Sequence, residues 1–406
     1  DETYFVTNGT TMSNQIVFHA LVSRGDVVLL DRNCHKSNVN SVIQTGAIPI
    51  YLSPMRNRHG MIGPIEPAHL GEIAVQAKLM HHPLIGDAEH PIRLAVITNS
   101  TYDGTMYDVA GVLSRLGNQV ENVLFDEAWI PYAAFHPVYA GRFAMSHHRS
   151  GTGPTVFATM STHKMLAAFS QASMIHIRHG ESPMSQQVFN EAFMMHTSTS
   201  PQYNIVASLA VATKMMEGAG GRALMDDAVD EALDFRREMS RLARLRERDG
   251  EWWFEPWQPP GAVEDEPAHW VMTDRWTGFN GLPPGYAMLD PTKVSLLCPG
   301  VEENGERPEF GVPAALVSAL LREQGVVAEK TGFYSILFLF SIGVTRGKSA
   351  SLIEALMAVK RQIDENVAVE DALPNIFNAH PARYRGLGVR DVARQLSWRR
   401  RQLVKL

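Results

Sequence analysis

The sequence predicts an α/β protein in which a mostly parallel sheet lies between helices, followed by a smaller α/β domain. Short apolar segments that are bounded by Gly, Asp, Asn or Pro have the length of buried strands, and segments of helical character separate them. Alternation of this kind favours parallel strands joined by crossover helices. The predicted strands of the main sheet cover residues 27–30, 49–52, 94–97, 122–125, 155–158 and 173–177.

The remaining elements are predicted from the same patterns. Residues 1–6 read as a first strand, residues 13–23 and 35–45 as helices, and residues 201–248 as a long helical region. Further along, the predicted strands cover residues 293–297, 326–329 and 336–342, and the predicted helices cover residues 313–323 and 349–365. We predict a large domain over residues 1–214, a small α/β domain over 215–365 and the beginning of a C-terminal domain over 366–406.

The composition is that of a globular protein, because 45% of the residues are apolar and 20% are charged. The formal net charge of -6 argues against a surface that binds nucleic acid. No apolar run approaches the roughly 18–20 residues that cross a bilayer, so no membrane span is expected. The two cysteines, Cys34 and Cys298, are far apart in the sequence and form no disulfide framework, which favours a reducing cytoplasm.

A run of small polar residues follows the predicted first strand and opens a helix. Residues 8–14 read Asn-Gly-Thr-Thr-Met-Ser-Asn. The hydroxyl groups of Thr10 and Thr11, together with free backbone N–H groups at the positive end of a helix, suit a phosphate. An ordinary helix N-cap explains the same residues.

An acidic residue, Asp126, ends the predicted strand 122–125. Sheets of this class bind ligands at the carboxyl ends of their strands, and an aspartate there can pair with a protonated pyridine nitrogen. The same pattern holds magnesium in P-loop NTPases. However, residues 343–349 contain three residues between the glycines where the P-loop needs four. The pairs His81-His82 and His147-His148 lack metal-ligand spacing, and no metal site is predicted.

The next predicted strand is followed by Ser161-Thr162-His163-Lys164. A lysine amine becomes a nucleophile when desolvation or a nearby cation lowers its pKa, and Ser161 and His163 could hold a phosphate beside it. A lone lysine after a strand is an ordinary surface residue, but its position after Asp126 follows the order of aspartate-aminotransferase-like enzymes that use pyridoxal phosphate (PLP). His35 follows another strand and could stack on a pyridine ring, or have a structural role.

The chain as a whole resembles the bacterial ornithine/lysine/arginine decarboxylases, which are PLP enzymes of fold type I. The resemblance extends along almost the whole sequence. It implies a PLP-binding large domain followed by a smaller α/β domain, and the loss of CO2 from the α-carbon of a basic amino acid. The segments that carry it cover residues 6–10, 31–37, 98–104, 125–129, 161–164, 194–201 and 338–343.

The resemblance implies a role for each matching residue. Lys164 resembles the lysine that binds PLP covalently, Asp126 the partner of the pyridine nitrogen, and His35 the histidine stacked on the ring. Trp129 resembles a residue beside the cofactor. Lys164 or His163 would return a proton to the α-carbon of the substrate. The residues that resemble phosphate ligands are Thr10, Thr11, Ser161 and His163.

The resemblance also concerns assembly. Thr197 and Thr199 resemble the segment that reaches the phosphate of a neighbouring subunit, which implies a homodimer with a shared active site. Met12 stands where many relatives have a small residue, so a phosphate loop poorer in hydroxyl groups is expected. Relatives carry an N-terminal wing domain and a longer C-terminal domain, and both are expected to be absent or cut here. The wing drives higher assembly, so a higher oligomer is expected only of a full-length protein.

The substrate is the least determined feature. Residues 327–332 resemble the lysine and ornithine enzymes, in which an acidic residue can face the distal ammonium, and Glu329 occupies that position. Residues 56–60, 153–159 and 343–348 resemble acid-induced arginine enzymes instead. Lysine is therefore favoured, with arginine and ornithine as alternatives. Transamination and a non-catalytic scaffold or regulator are the rival classes of function.

Overall fold

The computed structural model describes residues 1–85, 91–146, 151–261, 267–301, 308 and 310–403, and His147 and His148 lie outside these residues. Within the described ranges, every helix is too short or too polar to span a lipid bilayer. The chain divides into two compact units, each described below by itself. The first unit comprises Asp1–Met55, Ile62–Asp227 and Glu266–Asp290, and the second comprises Arg56–Met61, Ala228–Asp265 and Pro291–Leu406.

The elements as far as residue 215 belong almost entirely to the first unit. In chain order they are β1 (Glu2–Val6), α1 (Gly9–Leu21), β2 (Val27–Asp31), α2 (Lys36–Thr45), β3 (Ile48–Leu52), β4 (Pro54–Arg56), β5 (Ile62–Ile65), α3 (Glu72–Met80), β6 (Ile92–Thr98), β7 (Thr105–Tyr107), α4 (Val109–Leu116), β8 (Asn122–Asp126), β9 (Thr155–Met160), α5 (Thr162–Met165), β10 (Ser173–Arg178), α6 (Gln186–His196) and α7 (Tyr203–Met215).

The elements that follow lie mostly in the second unit, except α9, β12 and the start of α8. They are α8 (Gly218–Arg248), β11 (Glu255–Pro256), α9 (Asp274–Thr277), β12 (Ala287–Leu289), β13 (Lys293–Leu297), α10 (Ala314–Glu323), β14 (Lys330–Thr331), β15 (Ser335–Leu339), α11 (Arg346–Asp364), α12 (Val369–Ala372), α13 (Pro374–Ala379), α14 (Pro381–Tyr384) and α15 (Val389–Leu403).

The central sheet of the first unit has seven strands in the order β1-β10-β9-β8-β6-β2-β3. Neighbouring strands from β9 to β3 are parallel, whereas β10 is antiparallel to both β9 and β1. Strands β2, β8 and β9 are buried along their whole length, which requires cover on both faces of the sheet. The predicted fold class, a mostly parallel sheet between helices, is confirmed.

Strand β10 has a special position because it runs against the parallel strands. Its first residue, Ser173, therefore lies at the edge of the sheet where β8 and β9 end. The pairing of Met174 with Met160, the last residue of β9, shows this register. Side chains from the beginning of β10 and from the ends of the parallel strands consequently meet at one edge.

Helices α1 and α6 cover part of the first unit's apolar core. On α1, Ile16, Val17 and Phe18 are fully buried, and on α6 Phe189 is fully buried. They pack in one cluster with strand residues such as Leu124. Met12 is half-buried and also packs against this cluster. The helix that begins at the polar run is thus fixed to the sheet along its length.

The second unit is built on a four-stranded sheet in the order β11-β13-β15-β14, whose pairings are all antiparallel. Its core includes Phe235 on α8, Leu296 on β13, Leu320 on α10 and Leu356 on α11. Val389 and other residues beyond position 366 belong to the same core. The last segment therefore packs into the second unit.

Some element and domain boundaries differ from those predicted. The region 201–248 is two helices, because Gly218 adopts a φ of 62°, a conformation that only glycine accepts easily. The strand expected at 326–329 begins only at Lys330, where pairing with β15 starts. The first compact unit extends past the expected boundary at 214 and also includes residues 266–290, since β12 pairs with β7.

Candidate active site

The edge at which the parallel strands end opens into a cavity of about 560 Å³ in the first unit. Thr98 from β6 and Asp126 from β8 line it, as does Ser161, which follows β9. Ligands bind at this edge in α/β sheets because loops and helix N-termini converge there. The predicted site residues that line the cavity are Thr10, Thr11, His35, Asp126, Trp129, Ser161, His163 and Lys164.

Three predicted residues lie elsewhere. Thr197 follows α6, and its Oγ1 donates to the Phe193 carbonyl oxygen at 2.8 Å, while Thr199 is exposed. Glu329 belongs to the second unit, where it lines another cavity of about 670 Å³. The roles of these three residues stay predictions.

The Asp126 carboxylate is buried, and it accepts hydrogen bonds from three described residues. Its Oδ2 accepts from Asn14 Nδ2 at 3.0 Å and from Asn38 Nδ2 at 3.1 Å. Its Oδ1 accepts from the Ala128 backbone N–H at 3.3 Å. An ionised carboxylate accepts hydrogen bonds and donates none, so these partners suit the charged form. Helices α1 and α2 thus hold a carboxylate at the end of β8.

The His35 side chain caps the N-terminus of α2. Its Nδ1 accepts from the Ser37 backbone N–H at 3.2 Å and lies 2.8 Å from Ser37 Oγ. Burial lowers the pKa of His35, the Asp126 charge opposes this shift, and Lys164 and Lys36 lower the pKa further. These contacts favour a neutral imidazole that is fixed at the wall of the cavity.

The Trp129 ring lies beside the Lys164 amine. The Nζ atom is 4.3 Å from the centroid of the Trp129 ring, close enough for a cation–π interaction when the amine is charged. The Tyr102 ring lies 5.1 Å from the Trp129 ring. The amine therefore lies against an apolar surface at the cavity, as a lysine nucleophile requires.

A chain of buried hydroxyl groups connects α1 to the sheet. Thr10 Oγ1 lies 2.6 Å from Ser161 Oγ and 3.0 Å from Ser173 Oγ. Ser173 Oγ donates to the Met160 carbonyl oxygen at 2.8 Å. Ser13 Oγ lies 2.8 Å from Ser173 Oγ. Because Ser173 donates to the carbonyl, it must accept from Thr10 and Ser13. This chain fixes the first turn of α1 against strands β9 and β10.

The first turn of α1 is suited to an anion. Gly9, Thr10 and Thr11 line the cavity, and no acidic residue lies in the turn. The Asn8 side chain makes no capping hydrogen bond to any described residue. The first N–H groups of a helix have no partner within the helix and carry the positive end of its dipole. The Gly9 N–H donates to the Gln171 carbonyl oxygen at 2.7 Å, and an anionic group in the cavity would suit the N–H groups that follow it.

His163 has a defined tautomer in its neutral form. Its Nδ1 lies 2.8 Å from the Ala172 carbonyl oxygen. A carbonyl oxygen can only accept, so Nδ1 carries a proton. The Nε2 atom is therefore the one that can accept or release a second proton.

Glu127, directly after Asp126, is fully buried but does not line the cavity. Its Oε1 accepts from Asn99 Nδ2 at 2.8 Å and from the Ala144 N–H at 2.7 Å. Its Oε2 has no hydrogen-bond partner among the described residues. Burial raises the pKa of Glu127 to about 8 against the opposing effect of these hydrogen bonds. The folded protein thus holds a proton on Glu127 at neutral pH.

We expect Glu127 to make the protein less stable as pH rises. The unfolded chain loses this proton near pH 4.5 and the folded chain near pH 8, so the contribution is complete below pH 4.5 and is lost as pH rises through 8. Between pH 6 and pH 9 the change is about 3 kcal/mol. Urea unfolding at pH 6 and pH 9 measures it. Glu127→Gln should flatten the dependence, whereas Glu121→Gln at the surface should not; a parent-like slope in Glu127→Gln would contradict the assignment.

Several residues of the site were not found from the sequence. Asn14 and Ser13 lie four and three residues after Thr10, a spacing that would have indicated the same face of α1. Ser173 had no such signal, because its place depends on β10 running antiparallel. The contacts of Asn38 and Thr159 likewise depend on the packing of distant elements.

Comparison with known proteins gives consistent results. The family model described as Orn/Lys/Arg decarboxylase, major domain, matches residues 1–348. The lysine decarboxylase LdcA of Pseudomonas aeruginosa is 49% identical over 399 residues, which cover 97% of this chain and 53% of that protein. The biodegradative arginine decarboxylase of Escherichia coli is 42% identical over 414 residues, with 97% and 55% coverage. The chain spans about half the length of the curated relatives it matches.

Solved structures agree with the sequence comparison. Lysine decarboxylase A from Pseudomonas aeruginosa superposes with a TM-score of 0.94 at 49% identity, over 98% of this chain and 54% of that one. At the level of the fold alone, a serine palmitoyltransferase from S. paucimobilis with bound PLP has a TM-score of 0.52 at 13% identity, over 89% and 72%. The predicted fold type I architecture is therefore confirmed.

Proposed function

Because the chain belongs to the ornithine/lysine/arginine decarboxylase family, we propose that it is the PLP-binding part of an enzyme that removes CO2 from a basic L-amino acid. The observation that carries this proposal is one cavity lined by an amine, a carboxylate, an imidazole and the N-terminus of a helix. Each of these groups suits a different part of the PLP molecule.

The donor set of the cavity fits PLP. Its aldehyde carbon needs an amine, which Lys164 offers, and its ring nitrogen needs an anionic partner, which Asp126 offers. Its ring face can stack on His35. Its phosphate matches the positive end of α1, whose first turn has no acidic residue and contacts Ser161 through Thr10. When bound, PLP supplies the electron sink that takes up the electron pair left by departing CO2.

The residues around Lys164 have two tasks. Trp129 packs against the amine and fixes its position at the cavity. Asp126, held by Asn14 and Asn38, presents a negative charge of fixed position. A fixed charge needs no reorganisation during the reaction, and such preorganisation is a large source of catalysis.

A proton must return to the α-carbon after CO2 has left. Lys164 Nζ lines the cavity and can carry this proton. The second candidate is His163 Nε2, because its Nδ1 proton is engaged by the Ala172 carbonyl oxygen. A histidine that receives a proton at Nε2 keeps its orientation, since the Nδ1 hydrogen bond does not change.

Lysine is the favoured substrate, with arginine and ornithine as alternatives. Identity with the lysine enzyme of Pseudomonas aeruginosa is 49%, against 42% with the arginine enzyme of Escherichia coli. Glu329, in the segment that resembles the lysine and ornithine enzymes, is the proposed partner of the distal ammonium. Its side chain is exposed at the cavity of the second unit.

Steady-state release of CO2 from the three basic amino acids tests the proposal. We expect the chain with PLP to have its highest kcat/KM on L-lysine, by about tenfold or more, because the arginine guanidinium differs from an ammonium in size and geometry and ornithine is shorter by one methylene. A higher value on L-arginine would contradict the lysine preference. A PLP absorbance band without CO2 from any of the three would contradict the decarboxylase proposal and favour a non-catalytic role.

A homodimer with a shared active site is a further part of the proposal. Residues 197–199 lie between α6 and α7, and apolar side chains are exposed on both sides of them. Met195 is 70% exposed and Tyr203 is 78% exposed. Clustered apolar side chains of this size on a surface are typical of protein interfaces. A second copy that covers them would contact the segment that contains Thr197 and Thr199.

We also propose a cytoplasmic location. Cys34 and Cys298 are both free thiols in the structure. Free thiols without a disulfide framework are typical of proteins that work in a reducing compartment.

A further inference from the structure

The buried amide of Asn14 lies between two residues of the proposed site. Its Nδ2 donates to Asp126 Oδ2 at 3.0 Å and to Ser37 Oγ at 2.9 Å. Its Oδ1 accepts from Thr159 Oγ1 at 2.7 Å. Both N–H bonds and the carbonyl oxygen are therefore used. Since Asp126 can only accept when ionised, the amide has one allowed orientation.

The same amide determines what the Ser37 hydroxyl can do. Ser37 Oγ accepts from Asn14, so its own hydrogen is left for His35 Nδ1, 2.8 Å away. The Ser37 backbone N–H donates to the same nitrogen. With two donors directed at Nδ1, the ring proton of His35 must be on Nε2.

We propose that Asn14 is a positioning residue that couples the Asp126 carboxylate to the His35 imidazole, holding the first in place and keeping the second neutral with its proton on Nε2. The use of this coupling rests on the proposed PLP function, whereas the contacts themselves do not. A positively charged imidazole on the ring face would oppose a proton on the pyridine nitrogen. One side chain thus serves both residues that the ring would contact.

Two residues next to Asn14 in the structure, Asn38 and Ser37, allow the two halves of the proposal to be tested separately. Asn38 Nδ2 donates to the same carboxylate oxygen at 3.1 Å, but Ser37 is not its partner. Ser37 contacts His35, but Asp126 is not its partner. Asn38 therefore shares the first half of the role of Asn14, and Ser37 shares the second half.

The experiment compares Asn14→Leu, Asn38→Leu and Ser37→Ala in the full chain. His35 is titrated by NMR of the PLP-free protein with ¹⁵N-labelled histidine, and His35→Gln assigns its signals. Ser37→Ala removes the hydroxyl donor to Nδ1, and Asn14→Leu frees Ser37 Oγ to accept from a protonated Nδ1. Both changes should let Nδ1 take a proton more easily. We expect the acid dissociation constant of His35 to fall about fivefold in Asn14→Leu and Ser37→Ala, and to stay within about twofold in Asn38→Leu.

The second readout is PLP itself. With ¹⁵N-labelled PLP, we expect the ring-nitrogen signal to move towards its unprotonated position in Asn14→Leu and Asn38→Leu, together with an affinity loss of about tenfold. Ser37→Ala should leave the signal unchanged. Asn122→Leu, which removes a buried amide at the other end of β8, controls for general loss of packing and should change neither readout.

An unchanged His35 titration in Asn14→Leu would overturn the coupling, and an unchanged ring-nitrogen signal would overturn the positioning of Asp126. If Asn14→Leu does not fold cooperatively, Thr159→Val is the milder test, because it removes only the hydroxyl that orients the amide. It should shift both readouts in the same directions, and Thr159→Ser should restore them. If the parent chain binds no PLP, the proposed function fails, while the His35 titration still decides the coupling.

Discussion

Replacement of Lys164 by alanine is expected to abolish CO2 release and the absorbance band of covalently held PLP. The loss should be at least roughly 10³-fold, because the variant lacks the amine that is proposed to react. Asp126, His35 and the α1 N-terminus remain in Lys164→Ala, so the chain should still bind PLP without the covalent bond. Absorbance spectroscopy and CO2 release on L-lysine measure the two effects.

Two control variants sharpen this expectation. Lys164→Arg keeps a positive charge near the Trp129 ring but lacks the primary amine, and it should lose activity as completely as Lys164→Ala. Lys78→Ala removes a lysine of α3 outside the cavity and should leave turnover unchanged. Full turnover in either Lys164 variant would refute the central assignment.

Replacement of Asp126 by asparagine is expected to lower kcat on the order of 10³-fold. A neutral amide cannot hold a proton on the pyridine nitrogen, and removing one member of a buried charge pair costs about 3–5 kcal/mol. The fold should survive, since the amide oxygen can accept from Asn14 and Asn38. Single-turnover CO2 release separates this chemical effect from substrate binding.

The neighbouring carboxyl group provides the matched control. Glu127→Gln changes an adjacent buried carboxyl that does not line the cavity, and kcat should stay within about threefold. Near-normal turnover in Asp126→Asn would remove Asp126 from its proposed role. Equal losses in both variants would mean that the effect comes from packing at the end of β8.

Much of the first unit was predictable because its sheet is buried on both faces. The strand around Leu124 is a continuous apolar run with a polar residue at its end, and this pattern is local. Asp126 ends such a run and the segment with Lys164 follows another, so their position at one sheet edge could be inferred before the structure. The order of motifs along the chain then indicated the family.

Features that depend on long-range geometry were not predictable in the same way. Ser173 reaches the site because β10 is reversed, and no residue near it signals that reversal. At residues 326–329, a local sequence pattern predicted a strand that the structure does not contain. Val327 has high β propensity, but it is 73% exposed and the pairing with β15 begins only at Lys330. Propensity in an edge segment is a weak guide when the pairing partner is unknown.

The reversed strand also has a consequence for synthesis. The edge strand β1 pairs with β10 from Glu2 opposite Ile177 to Val6 opposite Ser173. At about 5–20 residues per second, translation reaches the end of β10 roughly 10–35 seconds after β1. During that delay Phe5 and Val6 have no strand to pair with, so the nascent chain presents an apolar edge to chaperones. The helix that carries Thr10 is thus translated early, and its hydroxyl contacts with Ser173 form only after β10 has been made.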